Sequence, residues 1–445
     1  MKKILTFQPL GNKKRSYRQR EFIVSTFNIS GVSRQEVELA GVEKVIRKLK
    51  KLGLNQVELG HAHHNTAERA LSVCEKEGMN LIWQDLSLFG GFQNKPHLDM
   101  TEADVKAIVE RTNDRLCLKG FYVWDEPWED KDIADAAMQI EWFDKFAPGK
   151  LSFVAANPSY NPDYTWENEL YPQYITRFCE EIQPSVLSVD FYPFGGSGKL
   201  LKEEEQLDNS NLWKDLAVAR EESVKRNIPF WFYYQVIRIW NGPNLKFSMI
   251  RLQMNYALLY GAKGLQCYGI AGSICSPDKM DEKRRILESD FEEGCFFDDF
   301  KQQVAKVKEL GKTFMALKSE HVYHSPELLA NDAYFNEHFR EDVAESVLDL
   351  EDLPFRCTVG VLSDDYDNQY LAVLNRDYEN AQSFILPLKN SYRIYEVSRA
   401  DGKHYCINEC TECIHVTLGE GDMVLYRLQK CGEEVSDIEY QCCTL

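Results

Sequence analysis

The stretch Gly120-Phe121-Tyr122-Val123-Trp124-Asp125-Glu126-Pro127 decides how this chain is read. An apolar run closed by two acids and a proline reads as a buried strand opening into a loop. In a parallel α/β architecture that opening is the carboxyl end of a strand, where barrels keep their chemistry.

Working outward, the chain between residues 21 and 318 repeats the same unit, a short apolar run followed by an amphipathic helical stretch. The runs are Phe22 to Ile29, Gln56 to Gly60, Leu81 to Leu86, Gly120 to Trp124, Leu151 to Ala155, Val186 to Tyr192, Pro229 to Val236 and Ala262 to Ile270. Helical patterns follow, for example at Val37 to Leu52, Thr66 to Glu77, Ala103 to Asn113 and Phe247 to Tyr260. Eight units of this kind predict a (β/α)8 (TIM) barrel rather than an open doubly wound sheet. The latter also calls for a glycine-rich first turn, which Asn28-Ile29-Ser30-Gly31 does not supply. After a long helix at Phe300 to Lys318 the pattern turns to alternating strands and turn residues, as in Tyr370 to Asp377 and Leu418 to Tyr426. This predicts an α/β chain with four parts: an N-terminal extension (1–20), a barrel (21–318), a small antiparallel β-sandwich (319–428) and a tail (429–445).

Of the 445 residues, 44% are hydrophobic and 12% aromatic, enough for a large core. The formal charge of −18 gives no electrostatic footprint for nucleic acid or an anionic membrane surface. The expected partner is a neutral small molecule or a carbohydrate. No apolar run reaches membrane-spanning length, and the N-terminus meets Lys13-Lys14-Arg15 before any sustained apolar segment, so a soluble, cytoplasmic protein is expected. Thirteen cysteines, an odd number scattered through helices and strands, predict reduced thiols rather than a disulfide framework.

The strand ends supply one list of convergent groups: Asn28 and Ser30; Glu58, His61, His63 and His64; Trp83, Gln84 and Asp85; Trp124, Asp125 and Glu126; Asn157; Asp190 and Tyr192; Tyr233, Tyr234 and Gln235; Gln266 and Tyr268. Rings mixed with carboxylates and amides suit a sugar, whose C–H faces stack on aromatic faces while its hydroxyls take hydrogen bonds.

With these residues in view, the chain resembles (β/α)8 glycoside hydrolases, especially β-galactosidase-like and uncharacterised gut-bacterial members. The likeness rests on the eight-unit layout, on Asp125-Glu126-Pro127, on Ile228 to Gln235 and on Gln253 to Leu265. In the barrel clan that includes the family 42 β-galactosidases, the glutamate ending the fourth strand is the acid/base, a role the resemblance gives to Glu126. The clan's nucleophile is a second glutamate ending the seventh strand, and here the chain departs from the pattern. Residues 229–238 contain no Asp or Glu, and Tyr234 or Gln235 stands in that place. Asp190, ending the sixth run, is the replacement, acting as base or nucleophile. Asp125 is a spare acid that orients Glu126 or binds a substrate hydroxyl. His61, His63, Trp83, Trp124, Asp85, Asn157, Tyr192, Tyr234, Gln235 and Tyr268 complete the expected substrate-binding set.

Each element has a plainer reading. Asp125-Glu126-Pro127 also suits a solvated helix start, Asp190 a structural carboxylate, and the tyrosines barrel packing. The fold is equally open to a non-hydrolytic carbohydrate-binding barrel. A metal-dependent sugar isomerase is a weaker alternative, since the fifth, seventh and eighth runs offer no Glu or His ligand. Neither cofactor nor metal is expected. Cys406, Cys410, Cys413 and His415 lack a regular zinc spacing and read as chance clustering, and Gly195 to Lys199 lacks the spacing of a phosphate loop. The sugar, its linkage, the stereochemistry and the oligomeric state are not written in the sequence.

Overall fold

The eight runs close into a parallel barrel. A computed structural model describes residues 2–27, 35–62, 64–85, 100–112, 114–160, 170–194, 210–239, 242–270, 285–288, 290–329, 337 and 343–443. The barrel strands are β2 (Ile23–Phe27), β3 (Gln56–Ala62), β4 (Asn80–Asp85), β5 (Leu118–Asp125), β6 (Leu151–Ala156), β7 (Leu187–Asp190), β8 (Phe230–Gln235) and β9 (Gly264–Tyr268), paired in that order with β9 returning to β2. Between and after them run α1 (Gln35–Leu52), α2 (His64–Glu77), α3 (Glu102–Thr112), α4 (Asp130–Phe146), α5 (Leu170–Glu181), α6 (Leu212–Arg226), α7 (Phe247–Leu259) and α8 (Phe297–Phe314). No described helix is long and apolar enough to cross a membrane.

Side chains alternate across each strand, so one set fills the lumen and the other meets the helices. On β8, Trp231 and Tyr233 join the lumen cluster with Tyr122, Phe153 and Phe27, whereas Phe230, Phe232 and Tyr234 belong to the shell under the helices. The Trp231 indole needs a bare neighbour: a Cβ on Gly264 would lie 2.6 Å from its ring. The N-terminal extension closes the lower end. Gln19 accepts the Trp231 Nε1–H (2.9 Å) and donates to the Lys263 carbonyl (2.7 Å), while Arg15 donates to Ile182 O (2.7 Å) and Gln183 O (2.9 Å) beyond the end of α5.

The barrel is followed by a β-sandwich whose main layer is a six-stranded antiparallel sheet. It contains β10 (Lys318–His324), β11 (Cys357–Ser363), β12 (Gln369–Asn375), β13 (Gln382–Val397), β14 (His404–Leu418) and β15 (Met423–Lys430), ordered β10-β11-β12-β15-β13-β14. The residues read as a tail carry another strand, β16 (Asp437–Cys442), which pairs in parallel with β1 (Lys2–Phe7) so that the two chain ends meet. This ribbon lies on the sheet, with the Tyr440 hydroxyl bonded to Tyr370 of β12 and to Asp364.

One expectation about the thiols is corrected. Cys410 within β14 and Cys431 just after β15 form a disulfide, because both strands flank β13 and their Cα atoms come to 5.7 Å. The other described cysteines are free, and Cys74, Cys117, Cys179, Cys267 and Cys357 are buried.

Candidate active site

The acids of the opening stretch owe their direction to a bulge. β5 pairs with β6 as Tyr122↔Phe153 and then Trp124↔Val154, leaving Val123 as an extra residue. Without it, alternation from the lumen-facing Tyr122 would send Trp124 inward and Asp125 outward. With it, Trp124 joins the outer shell and Asp125 falls in register with lumen-facing Ala155. The Tyr122 hydroxyl donates to Asp125 Oδ1 at 2.6 Å.

Glu126 follows with φ +50°, a left-handed conformation that a non-glycine residue adopts at a cost of order 1 kcal/mol. Two anchors hold it there. Its N–H donates to Ala155 O (3.1 Å), and Asn157 Nδ2 donates to its carbonyl (2.9 Å). Asn157 is itself set by the Tyr174 hydroxyl, which accepts the Asn157 N–H (3.0 Å) and donates to Pro127 O (2.8 Å). Asn157 therefore holds the backbone of the acid.

The kinked backbone brings the Glu126 carboxyl close to Asp190 at the end of β7, near enough for each to act on the other's ionisation. Burial is the main reason the Glu126 carboxyl lies well above the ordinary range, with Asp190 and Asp125 adding like charge. Burial likewise pushes Asp190 up to about 8, with the like charge of Asp125 adding to it and the neighbouring Tyr192 and Glu126 opposing it. At neutral pH such a pair keeps at least one proton, and its two titration steps belong to the pair rather than to either residue. Asp190 is only 4% exposed, and its Oδ1 has no hydrogen-bond partner among the described residues.

Around the pair stand three half-buried tyrosines. Tyr192 stacks on Tyr268 (centroids 4.8 Å apart, 27° between planes), and Tyr268 stacks on Phe27 (6.1 Å, 13°). Tyr160, beyond β6, packs edge-on against Phe191 (5.3 Å), and its phenol is raised by burial and by the neighbouring Asp190 and Glu126. Tyr160 carries no sequence signal beyond its place after a strand end.

Other expected ligands sit elsewhere. Trp83, Trp124 and Tyr234 are in the shell between barrel and helices, placed there by strand alternation and, for Trp124, by the bulge. Gln235 is consumed by backbone: its side chain accepts from Phe194 N–H (2.9 Å) and donates to Phe194 O (3.1 Å) and Ile237 O (2.9 Å), tying two post-strand loops together. Asp85 is buried and takes a salt bridge from Arg111 of α3 at 3.0 Å. Asn28, Ser30, His63 and the side chain of His61 lie outside the described residues. Among the described residues, no group of three or more His, Cys, Asp or Glu is arranged to hold a metal ion.

This architecture, a (β/α)8 barrel with an appended β-sandwich, is shared with solved glycoside hydrolases. The chain superposes on a solved glycoside hydrolase with a TM-score of 0.54 at 11% identity, over 97% of this chain and 100% of that one. A family 5 glycoside hydrolase from Bacteroides vulgatus ATCC 8482 gives 0.51 at 11% identity, over 96% of each chain. A β-glucuronidase from an uncultured Clostridium sp. gives 0.44 at 12% identity, and the chain spans 54% of that protein's length. No protein-family model and no curated protein sequence matches the chain.

Proposed function

We propose that the protein hydrolyses O-glycosidic bonds of a glycoside or oligosaccharide, with Glu126 as general acid and Asp190 as base or nucleophile. The observation that carries this reading is the pair of neighbouring acids, Glu126 and Asp190, at the carboxyl ends of β5 and β7 beside stacked tyrosines. A glycosidic oxygen leaves as an alcohol only if a proton reaches it, and a carboxylic acid kept neutral by burial is suited to give one. As Glu126 gives its proton to the leaving oxygen, Asp190 in its ionised form either takes a proton from the water that attacks the anomeric carbon or attacks that carbon itself, the glycosyl-enzyme then being hydrolysed by water with Glu126 as base. Tyr160, Tyr192 and Tyr268 offer ring faces to a sugar. That solved glycoside hydrolases superpose over nearly the whole chain supports the assignment at the level of architecture.

One observation favours a second reading. Carboxyls flanking a scissile bond stand about 5–5.5 Å apart in retaining enzymes and about 6.5–9.5 Å in inverting ones. Here the two acids are close enough to act on each other's ionisation, and β8 ends in Tyr234-Gln235 with no acid. A barrel that binds carbohydrate without cleaving it fits that missing acid. The experiment is hydrolysis of an aryl-glycoside and oligosaccharide panel by wild type, Glu126→Gln and Asp190→Asn, with product anomers followed by NMR. Turnover by wild type and its loss in both variants supports the hydrolase. Sugar binding without turnover on the whole panel supports the binding barrel.

A further inference from the structure

Beneath the acid pair lies a carboxyl that the reaction as described leaves unused. Glu58 of β3 is fully buried inside the barrel. Its Oε1 accepts from Ser25 Oγ of β2 (2.5 Å) and Gln266 Nε2 of β9 (2.7 Å), and its Oε2 accepts from the Tyr233 hydroxyl of β8. Gln266 is oriented in turn by Ser188 of β7, whose hydroxyl donates to Gln266 Oε1 (3.0 Å). Four strands thus converge on one acid, and every hydrogen-bonding partner named is neutral. Burying a carboxyl without a cation is costly, and an apolar side chain of similar size would fill the space at less expense. A residue that breaks this rule inside a barrel is expected to serve the site above it.

The connection upward runs through two tyrosines. Tyr233 is level with Asp190, its register partner across β7 and β8. Its ring packs edge-on against Phe27 (6.0 Å) and Phe153 (6.4 Å), each of which also packs on Tyr122 (5.4 and 4.8 Å), so the two tyrosines are held by one pair of rings. Tyr122 closes the chain by donating to Asp125. From these contacts we infer that Glu58 is a positioning residue of the active site: it fixes the Tyr233 hydroxyl, and the Tyr233–Tyr122 neighbourhood holds Asp125 and the backbone turn that aims Glu126. This rests on the glycosidase reading above and adds to it a residue that touches neither substrate nor the reacting bond. Tyr233 occupies the strand on which the missing acid was expected, and Glu58 supplies the carboxyl to that strand from across the lumen.

The test compares wild type, Glu58→Gln, Tyr233→Phe and the double variant, reading kcat and KM on the best aryl glycoside of the panel together with the thermal midpoint. Glutamine keeps the shape and removes the charge, and phenylalanine keeps the ring and removes the hydroxyl. The expected result is a fall in kcat of about 10- to 100-fold in each single variant with KM nearly unchanged. The double variant should lose no more than the worse single one, since the two act as a unit. Tyr233→Phe keeps the test decisive if Glu58→Gln fails to fold. Wild-type kcat in either folded variant, or losses that multiply in the double variant, overturns the inference and leaves the glycosidase reading standing. A wild type inactive on the whole panel overturns both.

Discussion

Replacing Asp190 by Asn should make the protein more resistant to alkaline conditions, whatever it does to activity. In the folded chain burial pushes this carboxyl from its ordinary 3.8 up to about 8. A raised acid contributes stability that is complete below the unfolded value and is lost as pH rises through the folded one, because in between the native state binds a proton that the unfolded state does not. At 1.36 kcal/mol per pH unit, the span from 3.8 to about 8 sets a ceiling of about 6 kcal/mol, of which about 4 kcal/mol falls between pH 5 and pH 8. Sharing of the proton with Glu126 reduces the amount assigned to Asp190 alone. An asparagine has no proton to lose and keeps the shape of the aspartate. Urea unfolding of wild type and Asp190→Asn at pH 5, 6, 7 and 8 measures the difference. The variant should gain on wild type steadily across the series, by a few kcal/mol in total. Parallel stability curves would refute the reasoning, for they would mean that Asp190 ionises in the folded chain as it does in the unfolded one.

Two further outcomes are expected. Gly264→Ala puts a Cβ 2.6 Å from the Trp231 ring, which is fully buried and tied to Gln19, so overpacking should cost about 1–3 kcal/mol in denaturant unfolding; an unchanged midpoint would show that the indole can move aside. Tyr160→Ala should raise KM for an active glycoside by roughly 3- to 10-fold with a smaller effect on kcat, because a ring face binds ground state and transition state alike; steady-state kinetics on the panel substrate checks it.

How much of this was legible in the sequence follows from what each pattern encodes. The eight barrel strands were, because strands covered by helices outside and packed against one another inside are apolar on both faces and read as unbroken runs. Phe230 to Gln235 is the clearest case, buried at every position. The bulge at Val123 was not, since inserting one residue leaves composition untouched while exchanging the directions of Trp124 and Asp125. Gln235 misled because an amide satisfies backbone and sugar with the same groups. The β1–β16 pairing escaped because it joins short segments at opposite ends of the chain, Lys2 to Asp437, with no local turn to announce it. The Cys410–Cys431 bond escaped for a related reason: its closeness is created by how β14 and β15 flank β13, not by any cysteine spacing. Asp190 was picked out by position alone, while its closeness to Glu126 depends on the left-handed turn at residue 126.

The central claim is that Glu126 delivers a proton to the leaving oxygen, and leaving-group chemistry tests it most directly. Wild type and Glu126→Gln are assayed on aryl glycosides of one sugar, from alkyl-like phenols to dinitrophenol, whose anion departs without protonation. The account predicts a loss of about 10²- to 10⁴-fold in Glu126→Gln on the poorest leaving groups, shrinking toward wild-type rates on the dinitrophenyl substrate. An equal loss across the series, or none, would contradict it.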